Sequence, residues 1–101
     1  MSEVDYSDPE QAAEAQRKAE ERRRRELTDL RALMSKPHGR RFMWRLLELS
    51  GIARQSFDPN SDSVTSFNEG RRWVGNIVWS DLLEACPQEY VKMLRDGKPK
   101  D

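Results

Sequence analysis

Two side chains in this chain could supply a nucleophile and a base, Cys86 and His38, and each is the only residue of its type. They do not form a recognisable dyad by spacing, and Cys86 stands between Ala85 and Pro87 at an expected helix end, where a thiol serves packing more often than chemistry. One His and one Cys also fall short of the three or four ligands that a zinc site draws from the protein. Carboxylates are plentiful but lie on charged helix faces, with no evident apolar pocket to move a pKa toward acid and base work. Glycines occur singly, so no phosphate-cradling loop is present. The expectation is a protein that is not an enzyme, with no catalytic residues, no metal site and no cofactor.

The remaining residues with binding chemistry are arginines. Arg22, Arg23, Arg24 and Arg25 form a block to which Arg40, Arg41, Arg45, Arg71 and Arg72 could add, with Trp44 or Trp73 placed to stack on a base. Against nucleic acid stands the balance of 18 basic and 18 acidic residues, which leaves no net field to draw the chain onto DNA. Glu20, Glu21 and Glu26 also border the block, and Glu20 with Arg24 and Glu21 with Arg25 have the i, i+4 spacing of a solvated, self-paired helix face. A solvated face is therefore preferred to DNA contact.

Gly39, Arg40 and Arg41 before Phe42 are echoed by Gly70, Arg71 and Arg72 before Trp73. Glycine inside a helix costs about 1 kcal/mol relative to alanine, so Gly70 implies the close approach of another helix, with Phe42 or Met43 above it. Arg71 near an inward face would need a carboxylate, for which Glu48 and Asp81 are in reach. The two motifs are read as two surfaces of one helical packing unit.

The elements that must position these residues are helices. Hydrophobic and charged residues each make up 36% of the chain, too few apolar residues for a core along its whole length. Residues 1–8 read as a mobile acidic leader. Asp8 and Pro9 open a long charged helix over 9–34, whose first half is apolar only at alanines and whose second half carries Leu27, Leu30, Leu33 and Met34. A small helical core domain follows over 35–97, and 98–101 form a frayed tail. Within it, helices run from Pro37 to Ser50 with Gly51 as a left-handed stop, from about Asp62 to Ala85, and from Pro87 to Gly97. Ile52 and Phe57 anchor the loop after Gly51. The predicted fold is all-α, a bundle of about four helices, with Leu30, Phe42, Leu46, Phe67, Val74, Val78 and Leu82 as its core. Trp79 and Leu83 point away from that core and, with Trp44, are the expected partner contacts. No apolar run is long enough for a membrane span or resembles a signal peptide.

The segments "GRRFMWRLLELSGIARQSF", "FNEGRRWVG" and "LLEACPQEYVKMLRDG" resemble a group of small proteins encoded among the head and tail genes of short-tailed bacteriophages. The resemblance runs from Met34 to Gly97 and leaves out the helix before Leu27. It implies a virion-associated protein made in the bacterial cytoplasm, acting near the portal or leaving with the genome as an internal protein. The implied partners are portal, tail or internal virion proteins, with a symmetric homo-oligomeric ring as one arrangement. The competing class is a small DNA-binding regulator using the arginine-rich helix. The long loop between the second and third helices argues against a helix-turn-helix, which uses a turn of three or four residues.

Overall fold

The computed structural model describes residues 3–53 and 58–96, which form four helices with no strand among them. Helix α1 spans Pro9–Met34, α2 Pro37–Ser50, α3 Asp62–Ala85 and α4 Pro87–Asp96. The Asp8 carboxylate accepts the Glu10 amide hydrogen at 2.9 Å and proline fills the first turn, so α1 starts where the sequence places it. Lys36 is extended because it precedes Pro37, which separates α1 from α2. Gly51 ends α2 in the left-handed region at φ 69°. Ser61 caps α3 by accepting the Val64 amide hydrogen at 3.1 Å, and Pro87 obliges the chain to leave helical geometry at Cys86. Phe57, expected as an anchor, and the expected tail at 98–101 lie outside the described residues.

The core is small and lies where the C-terminal half of α1 meets the C-terminal end of α3. Met34 and Leu82 are fully buried at its centre. Leu27, Met43, Leu47, Ala85, Cys86 and Met93 surround them, and Leu30, Trp44, Leu46, Ile52, Val78 and Tyr90 pack against that cluster from its edge. The molecule measures 55 × 39 × 19 Å. Its thin dimension is about two helix diameters, so every helix keeps an outer face.

Of the seven predicted core residues, Leu82 is central and Leu30, Leu46 and Val78 are partly buried, but Phe42, Phe67 and Val74 are exposed at 56%, 67% and 49%. The reason is rotation of both helices. On α2 the buried stripe is Gly39, Met43, Leu47 and Ser50, one position on from the predicted row of Phe42, Leu46 and Leu49. On α3 it centres on Gly75, Val78 and Leu82, turned roughly 40° from the predicted centre at 3.6 residues per turn. Small residues decide both rotations. A methyl group on Gly39 would overlap the Leu33 carbonyl, and one on Gly75 would overlap the Ser50 side chain, so helices cross most closely at these two glycines. Gly70, for which close approach was predicted, has no atom within 4 Å of a Cβ built on it. The large apolar residues set the predicted faces, whereas the crossing distances select the small ones.

This arrangement separates two positions that the pattern alone treats alike. Leu82→Ala should cost about 2–5 kcal/mol in urea denaturation at low micromolar concentration, as a deletion at a closed core site. Val74→Asp should change stability by less than about 1 kcal/mol, since the side chain already meets solvent. A Val74→Asp protein that fails to fold would place that face in the interior.

Candidate protein-interaction surface

The arginines come first because the sequence offers them as ligands for nucleic acid. Two of them, Arg40 and Arg71, together with Arg31, instead lie at helix C-termini, where the last carbonyls lack partners and the helix dipole is negative. Arg40 is buried, and its Nη1 donates to the carbonyl of Met34, the last residue of α1, at 2.9 Å. Its Nε lies 3.9 Å from Asp96 at the end of α4. Arg31 donates from Nε to the carbonyl of Ala85, the last residue of α3, at 2.9 Å. Arg71 lies across Gly51 at the end of α2, with Nη2 3.2 Å from where a Cβ on that glycine would be. The repeated motif thereby acquires a meaning: in both copies the first arginine reaches the C-terminal end of the preceding helix.

Arg71 does not take the carboxylate predicted for it. It donates to Asn68 Oδ1 at 3.0 Å and stands 5.5 Å above the Phe67 ring, a cation–π contact. Asp81, one of its expected partners, pairs with Arg23 instead. Arg23 Nη2 lies 2.7 Å from both Asp81 Oδ1 and Glu84 Oε2, ties α1 to the last turns of α3, and has Glu26 3.7 Å away. Asp81 first and Glu84 second hold its guanidinium in the charged form even more firmly than usual. The block of four is thereby divided, with Arg22, Arg24 and Arg25 exposed while Arg23 faces α3. Among the described residues neither Glu20–Arg24 nor Glu21–Arg25 forms an ion pair; Glu14 with Arg17 and Lys18 supplies pairing earlier on α1.

The two possible reactive groups differ in exposure. His38 is exposed on the first turn of α2, and Cys86 is buried. Burial first, then the neighbouring charge of Glu89, pushes the Cys86 thiol up, against a smaller opposing effect of Arg31. A raised thiol pKa lowers its thiolate fraction at neutral pH.

The fold also presents large apolar side chains outward. Phe67, Trp73, Val74 and Ile77 lie exposed around Gly70 on α3, and Phe42 and Leu49 are exposed on α2. Of the predicted partner contacts, Trp79 and Leu83 lie on α3 at 40% and 44% exposure. Trp79 donates from Nε1 to the Tyr90 hydroxyl at 2.8 Å, which joins α3 to α4. Trp44 is half-buried beside an open groove of about 420 Å³, lined also by Leu47, Ile52, Tyr90 and Met93. Its indole N–H is buried without a partner among the described residues. These contacts do not coalesce into one site. The row through Phe67, Val74 and Ile77 is not singled out by the pattern, which assigns Phe67 and Val74 to the core; the signal that points to it is that α3 is apolar over much of its circumference.

A protein-family model matches residues 30–95, well over half the chain, and its description is Bbp19-like phage protein. The chain belongs to that family of phage proteins. The match takes in the whole core from Leu30 onward, the three arginines at helix ends and the exposed face of α3, and begins after the arginine block. No curated protein and no solved structure matches the chain. No helix among the described residues is long and apolar enough to cross a membrane.

The two arginines of the first motif should behave differently. Arg40→Ala removes a charged donor from a buried carbonyl and should cost about 1.5–3 kcal/mol. Arg41→Ala, on an exposed side chain, should stay within about 0.5 kcal/mol. Chemical denaturation of both variants checks the order, and equal effects would contradict the role given to Arg40.

Proposed function

We infer that this member of the Bbp19-like phage family is a non-enzymatic component of the virion that binds another virion protein through its exposed helix faces. The observation that carries the reading is the placement of large apolar side chains. Phe42 and Leu49 on α2 and Phe67, Trp73, Val74 and Ile77 on α3 remain outside a core that uses methionine, leucine and small residues. Scattered exposed apolar residues are ordinary, but a helix that presents four on one side suits a protein partner. The portal vertex, the tail and the internal proteins that leave with the genome are the sites this reading favours. The long N-terminal half of α1, polar and clear of the core, suits a subunit that reaches along a neighbour in a ring.

The exposed Arg22, Arg24 and Arg25 are what favours a DNA-binding regulator as the second reading. The path from Ser50 to Asp62 counts against it, because it is far longer than the turn of a helix-turn-helix. Reorientation of Arg23 toward carboxylates further reduces the basic surface.

Mass spectrometry of purified particles and procapsids from the phage that carries this gene tests the proposal. The wild-type chain is expected in at least one of them. Leu83→Ser and Phe42→Ser should retain the helical circular dichroism of the free protein yet reduce incorporation several-fold. Absence of the wild-type chain from particles and procapsids, with salt-sensitive binding of the free protein to one duplex sequence, would favour the regulator instead.

A further inference from the structure

The exposed row on α3 has the same spacing read from either end. Phe67, Gly70, Val74 and Ile77 are separated by three, four and three residues, so the row is symmetric about position 72. Two copies of α3 laid antiparallel across a two-fold axis at that position bring Phe67 against Ile77 and Gly70 against Val74, each pairing made twice. Trp73 flanks the row one position from its centre, where it would meet its own counterpart across the axis as an aromatic pair. The next positions on the same line are Ser63 and Asp81, and Asp81 is already held by Arg23 of α1. Polar residues therefore bound the apolar row at both ends.

Gly70 supplies an independent observation. Glycine is disfavoured in a helix interior relative to alanine, and nothing within the subunit requires it, since no atom approaches a Cβ placed there. An approaching second helix does require it, because a residue without a side chain opposite Val74 lets the two backbones come close. Gly39 and Gly75 already do this within the subunit, against Leu33 and Ser50.

We propose that the chain self-associates as an antiparallel α3–α3 dimer, with Gly70 and Val74 interlocked around the two-fold axis. With Phe67 and Trp73 two-thirds exposed and Val74 and Ile77 about half exposed, the row offers on the order of 400–500 Å² per copy. That is below the ~800 Å² per partner of a standard interface, so the expected dimer is weak. The proposal does not rest on the virion reading, because it concerns the purified chain alone; the dimer covers the α3 row and leaves the exposed Phe42 and Leu49 of α2 and Leu83 of α3 to a different partner.

Sedimentation equilibrium of the full chain from about 5 μM to 1 mM should show a reversible rise from monomer to dimer mass. Gly70→Glu enters open space in the subunit and should keep its helical signal and thermal midpoint, while weakening dimerisation at least tenfold. The register is tested by mixing Gly70→Cys and Val74→Cys chains with a short bismaleimide, the buried Cys86 serving as an unreactive background. Antiparallel pairing gives mainly mixed cross-links between the two variants. A wild-type chain that stays monomeric to 1 mM, a dimer unaffected by Gly70→Glu, or cross-links formed mainly between identical variants would each overturn the proposal.

Discussion

Carbonyl groups at the ends of α1 and α3 each accept a hydrogen bond from an arginine of another helix, and the rest of the structure depends on these two ties. A helix C-terminus presents unpartnered acceptors and a negative dipole, and a planar guanidinium carries several donors and a permanent charge. Arg40 at Met34 and Arg31 at Ala85 therefore link two helix ends to other elements, while Arg71 packs across Gly51 and donates to Asn68 of its own helix. Arg23 adds a third tie through Asp81 and Glu84.

A core centred on Met34 and Leu82 and anchored in this way occupies only one region of a thin molecule. The N-terminal half of α1 extends from it as a polar helix, and the first half of α3 is covered on one side only. There α2 packs through Gly75 against Ser50 and through Arg71 over Gly51. The adjoining flank, from Phe67 beside Arg71 round to Trp73, carries Phe67, Trp73, Val74 and Ile77 into solvent. Burying two or three such side chains contributes on the scale of an interface anchor, about 1.5–3 kcal/mol each. Membership in a phage protein family is the setting in which attachment through these uncovered helix faces is proposed.

Most of the fold was legible in the sequence, because punctuation is local chemistry. Asp8 before Pro9, Lys36 before Pro37, Gly51 and Pro87 each act within a turn, and all the helix boundaries they mark are present. Rotation of the helices was not legible to the same extent. Periodicity weights bulk, so Phe42, Phe67 and Val74 outweighed Gly39, Ser50 and Gly75, although helix crossing distances depend on the small residues. The site was legible only in outline. Leu83 is exposed and Trp79 is partly engaged by Tyr90 of α4, whereas the most exposed row on α3 includes Phe67 and Val74, which the pattern assigns to the core. The arginine partners were hidden too, because a contact such as Arg23 with Asp81 depends on how α1 crosses α3, which no short-range spacing encodes.

Native-state hydrogen exchange of the free protein at low micromolar concentration tests the central claim most directly, since it measures where the stabilising core lies. The slowest amides are expected on α1 around Met34 and on α3 around Leu82, exchanging only on global unfolding, while amides from Phe67 to Ile77 exchange through local opening at least tenfold faster. Equal protection along the whole of α3 would contradict a core confined to the junction and with it the existence of an uncovered apolar face.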